Sequence, residues 1–442
     1  MKKTYIKIIA ALICLCAFAL TSCDLGMIPE DGEISDVAIT PSTAMTENKT
    51  EENNSGKGKN ENSNKNENDK SSNAAWKISE ETKAEIKQEI LEDLLKELEN
   101  ALGDVEPKPF ESAMDYVIVT DYLKANTGKD LTDEIQKIID DNPNKVIFFP
   151  DGVYMISSPI QTSASPTESV SLLLSNYAVI KATDSWSGAA MIRLGGAKAA
   201  NDVKSNGSSY YLKGGTIDGS GKANGVSVAS GRLTTVSDLA IKNTQVGLTV
   251  EKGANGGSAD ANIKDISIIG NNTLGSVGLS VQGYDNIFSN IYIQSVLTGV
   301  QIQASGNVFR NVHAVGVNSE NYESSIGFKD YSGLNWYDNC YSDQYAVGFS
   351  MSNGISNYTN CFCYWYNGNV SSMVGFKAER KFNSVITNCR VNFPSTTQAK
   401  CEFIQVGADG GAGRIENPIF YEKMDTVKTY QNYIVGDVMW QN

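Results

Sequence analysis

Gly278-Leu279-Ser280-Val281, then Asn286-Ile287, then Asn290-Ile291-Tyr292-Ile293 stand in that order within the stretch Val277 to Val391, and the order recurs. The Gly phrase returns at Gly299, Gly327, Gly348 and Gly375, at spacings of 21, 28, 21 and 27 residues. The second phrase, Asn before an apolar pair, returns at Asn307, Asn335, Asn357 and Asn383. The third returns at Asn311, Asn339, Asn360 and Asn388, spaced 21, 28, 21 and 28 residues apart. Three strand-like phrases per repeat, at roughly 20–30 residues per repeat, are what a β-solenoid requires. One turn cannot bury its apolar face alone; stacked turns cover each other's inward Ile, Val, Phe and Cys. Asn before a strand suits a tight left-handed corner, and its amide can bond the same residue one turn away.

Working outward, Gly225-Val226 and Gly247-Leu248 extend the Gly ladder, and Asp238-Leu239 and Asp265-Ile266 extend the Asn ladder. After Phe393 the pattern fades, and Phe403 to Asn442 is expected to close the far end. On the N-terminal side, Leu131 to Asp140 reads as a short amphipathic helix, followed by Val146-Ile147-Phe148-Phe149, Pro150-Asp151-Gly152 and Val153-Tyr154-Met155-Ile156. A helix, an apolar strand and Pro-x-Gly-x-Tyr-x-Ile resemble the N-terminal signature of the pectate-lyase superfamily of right-handed parallel β-helices. Gly128-Lys129-Asp130 stands where that family's Gly-Asp-Gly is usual. The resemblance implies an all-β right-handed parallel β-helix over residues 111–442, with the helix covering one open end of the stack. It marks the fold more strongly than the chemistry, because hydrolases, lyases, epimerases and phage tailspikes share it.

Upstream, Lys2, Lys3 and Lys7 precede a short apolar run, Ile8 to Leu20, and Leu20-Thr21-Ser22-Cys23 resembles the lipobox of bacterial lipoproteins. The expectation is a signal over residues 1–22, lipidation at Cys23, and an anchored extracytoplasmic protein of the bacterial cell envelope. Residues 23–75 read as a disordered tether, since Glu, Asn, Lys, Ser and Gly dominate Glu51 to Asn73. Residues 76–110 hold an amphipathic helix or stalk, Ser79 to Leu102, with Ile86, Ile90, Leu91, Leu94, Leu95, Leu98 and Leu102 on one stripe. That stripe either packs on the solenoid or joins copies of the chain in a short coiled coil.

Removing the three signal lysines from a net charge of −14 leaves −17, which argues against nucleic acid as a partner. Three of the eight cysteines, Cys14, Cys16 and Cys23, fall in the signal; Cys340, Cys361 and Cys389 share one inward rung position, Cys363 points inward beside Cys361, and Cys401 is unplaced. Buried free thiols are preferred to disulfides, and no spacing suggests a zinc site. In Gly214-Gly215-Thr216-Ile217-Asp218-Gly219, Asp218 is expected to tie down the glycine turn.

Alternation along the third ladder sends one set of side chains outward: His313, Tyr341, Asp343, Tyr345, Phe362, Tyr364, Tyr366 and Arg390. Solvent-facing aromatics gathered on one sheet mark binding sites, and rings lie flat on the C–H faces of sugars. The longer connections Ala314 to Ile326 and Tyr366 to Val374 are expected to wall this strip into a groove. A glycan-cleaving enzyme is the leading reading, hydrolase ahead of lyase, and a non-catalytic glycan binder or adhesin is the alternative. A hydrolase needs two carboxylates roughly 5–10 Å apart. Asp343, with Asp330, Asp338 or Glu323, supplies candidates, and His313, the one histidine, stands beside Asp343. Asp330 occupies a position that is apolar elsewhere on its ladder, so a bulge or a buried carboxylate is expected there, with the bulge preferred. A lyase would draw on Arg310, Lys329 and Arg390, with Ca²⁺ as its cofactor; no cofactor is expected otherwise.

Overall fold

The computed structural model describes residues 84, 88–93, 96, 116–197, 209–253, 258–316, 321–352, 355–366, 370–394, 397, 399–407, 411–421 and 439–441. The signal, Cys23 and the tether lie outside these. The chain divides into two units, Met1–Glu92 and Asp93–Asn442. The described residues of the Ser79–Leu102 segment are helical, and Ile90 and Leu91 of its stripe are exposed. Among the described residues no helix is long and apolar enough to cross a membrane.

The second unit carries two all-parallel sheets, one of ten strands and one of twenty. The Gly phrases form the ten-stranded sheet, with Leu279, Val300, Phe328, Phe349, Phe376 and Ile404 in one register. These glycines keep φ below zero; what they supply is room. A Cβ on Gly299 would sit 2.5 Å from the Gly327 carbonyl and 2.6 Å from the Ala314 Cβ. The Asn phrases form the twenty-stranded sheet. Each turn runs through a leading arm, such as residues 308–310, a one-residue corner, and a trailing arm, such as residues 312–315.

The corner is the predicted one. Asp238, Asp265, Asn290, Asn311, Asn339, Asn360, Asn388 and Asn417 all have φ between 49° and 56°. Short polar side chains tolerate this region best, because they bond locally where a longer chain only clashes. The Asn311 amide donates to Asn290 Oδ1 at 2.8 Å, and Asn290 donates to Asp265 at 3.0 Å.

The second Asn ladder departs from expectation after three turns. Asn286, Asn307 and Asn335 are fully buried, and each Oδ1 accepts the backbone N–H of the turn before, at 3.0–3.1 Å. The next two places belong to Ser356 and Ser384, whose hydroxyls accept from Asn335 and Ser356 at 3.2 Å. Asn357 instead pairs with Trp336 and faces outward. The reading by Asn alone slips here by one residue, which in a strand reverses the face.

Inside, Phe288, Phe309, Tyr337 and Tyr358 stack at 4.6–5.1 Å, and Phe328, Phe349 and Phe376 form a second stack at 4.6–5.1 Å. All five described cysteines are free thiols. Cys340, Cys361, Cys363 and Cys389 are buried, and burial pushes Cys340, Cys361 and Cys363 well above the usual thiol range. Burial raises Cys401, which is half-buried, to about 11.

The helix Thr132–Asp141 buries Ile135, Ile138 and Ile139 against the start of the stack. Its Gln136 side chain accepts from Gln161 N at 2.8 Å and donates to Gln161 O at 2.9 Å. Gln161 lies on the edge strand of the ten-stranded sheet, so one amide there does the work of a missing neighbour strand.

Candidate functional site

The trailing arms put Tyr292, His313, Tyr341, Phe362 and Arg390 in one outward row, and Gln294, Val315, Asp343, Tyr364 and Asn392 in the next. From Tyr292 to Arg390 is four turns, about 19 Å at the usual strand spacing. His313 lies on Tyr341 with ring centres 4.1 Å apart and 9° between planes, and Tyr341 lies on Phe362 at 4.9 Å and 18°. The Arg390 guanidinium is 5.8 Å from the Phe362 ring centre. The strip read from the sequence therefore exists as a continuous ladder.

Its geometry changes which rings can meet a ligand. In a parallel stack the faces of His313, Tyr341 and Phe362 are covered by their neighbours, leaving edges toward solvent. Each such pair adds about 0.5–1.5 kcal/mol to the fold beyond area burial, so the middle of the ladder is first a structural spine. Tyr292 is different: it stands at 80° to His313 and is exposed. Tyr366, tilted 37° to Tyr364, is 70% exposed. These two rings present faces. Tyr292 lies outside the expected ligand-binding set, and its place at the foot of the row, one turn before His313, is the signal that marks it.

Asp343 sits among these rings. Its Oδ2 accepts from the Tyr341 hydroxyl at 3.4 Å and lies 3.9 Å from His313 Nε2. Burial, and then the Asp343 charge, push the Tyr341 phenol well above its usual range, which keeps it a donor. Asp343 Oδ1 and His313 Nε2 are both buried without a hydrogen-bond partner. A buried polar atom left unpaired costs about 1–3 kcal/mol.

Several expected members lie elsewhere. Tyr345 is not on the strip: it is fully buried. Gln344 adopts φ 61°, and this left-handed residue ends the alternation one step early and turns Tyr345 inward over Gly316. Asp330 is fully buried in regular register between Ile302 and Met351, so the preferred bulge is overturned. Its oxygens accept from Gly333 N at 2.8 Å, Ser332 N at 3.0 Å, Asn335 Nδ2 at 3.1 Å, Tyr337 OH at 3.0 Å and Ser356 Oγ at 2.7 Å. Surrounded by donors in the interior, it has no face for a substrate. Arg310 is on the leading arm, across the Asn311 corner, 3.6 Å from Asp338. Lys329 is on the ten-stranded sheet, 4.9 Å from the Tyr331 ring centre. Glu323 is exposed on the connection after Gly316, where the Ser371 hydroxyl donates to it. Beside it Tyr322 OH donates to Ser372 O at 3.2 Å, so the two long connections touch each other.

Asp218 is structural, as read. Burial alone would raise its pKa; the Asn243 amide at 2.8 Å, the Ser220 N–H at 3.0 Å and Lys181 at 3.4 Å hold it below the ordinary value instead.

Residues 116–329 match the family described as "Rhamnogalacturonase A/epimerase, pectate lyase-like". Of the strip, only Tyr292, Gln294, His313 and Val315 fall inside that match. No curated protein matches the chain in sequence. Among solved structures, "Geobacillus virus E2 - ORF18" is similar with a TM-score of 0.52 and 16% identity, over 72% of this chain and 64% of that one. The tailspike protein of E. coli bacteriophage HK620 in complex with pentasaccharide is similar with a TM-score of 0.56 and 12% identity, over 75% of this chain and 66% of that one. The chain thus spans about two thirds of the length of these structures or slightly less. With its parallel sheets and cornered turns, the chain folds as a pectate-lyase-like right-handed parallel β-helix.

Proposed function

We propose that this β-helix binds a glycan along the trailing-arm strip, as the outer part of a lipid-anchored envelope protein acylated at Cys23. The observation that carries the binding reading is the unbroken outward ladder from Tyr292 to Arg390, with ring faces presented at Tyr292 and Tyr366. The pentasaccharide held by the similar phage tailspike supports it. Tyr292→Ala and Tyr366→Ala are each expected to weaken binding about tenfold, roughly 1.4 kcal/mol per ring. Calorimetric titration with a ligand found on a glycan array measures this; unchanged affinity in both variants would sink the strip as the binding face.

Cleavage is the second reading, favoured by the unpartnered Oδ1 of Asp343 beside His313 and Tyr341. The two outward rows from Tyr292 to Asn392 hold one carboxylate where hydrolysis uses two, and the other exposed candidate, Glu323, accepts from the Ser371 hydroxyl on the connection after Gly316; that puts binding first. Asp343→Asn is expected to slow depolymerisation of a bound polysaccharide by about a hundredfold or more. A variant that cleaves as fast as wild type removes Asp343 from any catalytic role.

A further inference from the structure

We infer that the glycan accepted by this strip is built from uncharged sugars and not from uronates, an inference that rests on the glycan-binding reading above. The ionic groups on the two outward rows are Asp343, His313 and Arg390. Asp343 stands in the middle, and little compensates its charge: one hydroxyl at 3.4 Å, the imidazole at 3.9 Å, and an Oδ1 with no partner. A uronate chain laid along the row brings a second carboxylate close to the first, where like charges repel most strongly because the surroundings are partly desolvated.

Among the described residues no cation that would answer a polyanion stands beside Asp343: Lys242 continues its row but four turns below it. Arg390 is at the far end over the Phe362 ring. Arg310 faces Asp338 on the other arm, and Lys329 lies over Tyr331 on the other sheet. What the strip offers around Asp343 is neutral: the phenols of Tyr292 and Tyr341, and the amides of Gln294 and Asn392. Such groups pair with hydroxyls, which both donate and accept. β-Elimination needs a sugar carboxylate to acidify the adjacent C–H, and an uncharged chain has none; if the strip cleaves its ligand, it does so by adding water across the glycosidic bond.

The test titrates the wild-type chain with neutral gluco-, manno- and galacto-oligosaccharide pentamers and with pentameric oligogalacturonate, at about 20 and 200 mM salt. A neutral pentamer is expected to bind with an affinity that salt changes less than about twofold, and oligogalacturonate to bind at least about tenfold more weakly at low salt. Asp343→Asn is expected to narrow that ratio. Tighter binding of oligogalacturonate, weakened by salt, overturns the inference and leaves the strip as a glycan site. Binding of neither class overturns the glycan-binding reading itself, and this inference with it.

Discussion

Asp330→Ala is expected to lower the free energy of unfolding by about 3–5 kcal/mol. The carboxylate occupies a rung where Ile302 and Met351 stand above and below it. Burying a charge there is unfavourable by itself, and the six donors that converge on it, the Ser332 hydroxyl included, offset the cost. Burial and then the Asp330 charge hold the Tyr337 phenol well above its usual range, so that hydroxyl stays a donor. Removing the acid strands the Tyr337 and Ser356 hydroxyls together and leaves Asn335 with only its bonds to Gly333 O and Ser332 Oγ, and each buried orphan costs about 1–3 kcal/mol. Filling the space with Met restores volume but not acceptors, so Asp330→Met should be nearly as damaging. Ser332→Ala, which removes the hydroxyl's bonds to Ala304 O at 2.7 Å and Asp330 Oδ1 at 3.4 Å but keeps the Ser332 N–H and the rest of the cage, should cost about 1 kcal/mol. The midpoint of guanidinium unfolding, followed by circular dichroism, separates the three. An Asp330→Ala chain within about 1 kcal/mol of wild type would show that the network is not holding the turn.

Gly299→Ala carries the second large effect, about 3 kcal/mol, at the upper end of the cost of overpacking. The new methyl would meet the Gly327 carbonyl at 2.5 Å and the Ala314 Cβ at 2.6 Å, and neither can rotate away. The strands would have to separate locally. Gly275→Ala makes the control. Its φ is +78° and its nearest neighbour is Gln245 Nε2 at 3.9 Å, so it carries backbone strain without a clash. About 1 kcal/mol is expected there. Equal melting shifts for the two would refute the close-approach explanation of the Gly ladder.

The two ladders show what the sequence could and could not reveal. The corner Asn row was legible because φ near +50° selects Asn and Asp above other residues with a Cβ, and the choice recurs every turn. The inner row was legible only while it used Asn. Serine fills the same place at Ser356 and Ser384 by the same kind of bond, and Asn357, one residue after the first, and Asn383, one residue before the second, were decoys. Tyr345 turns inward, against the alternation, because Gln344 breaks it, and a left-handed glutamine carries no signal of its own. Asp330 stood out as an anomaly, but its donors come from Gly333, Asn335, Tyr337 and the next turn, which only the fold brings together. The strip itself was foreseen. That its middle rings would spend their faces on one another was not, although turns about 4.8 Å apart put successive rings near stacking distance.

Gln136 has an implication beyond capping. A coil of parallel strands is by construction able to add a further copy of itself at either end, because its last turn exposes the same bonding groups as every turn before. By offering one amide to Gln161, the helix occupies a bonding position of that open template, while Asn126, Asp130 and Thr132 accept from Val153 N and Ser157 N on the neighbouring edge. Each such bond removes a position through which another coil could pair, and so lowers the tendency to seed head-to-tail fibres through that end.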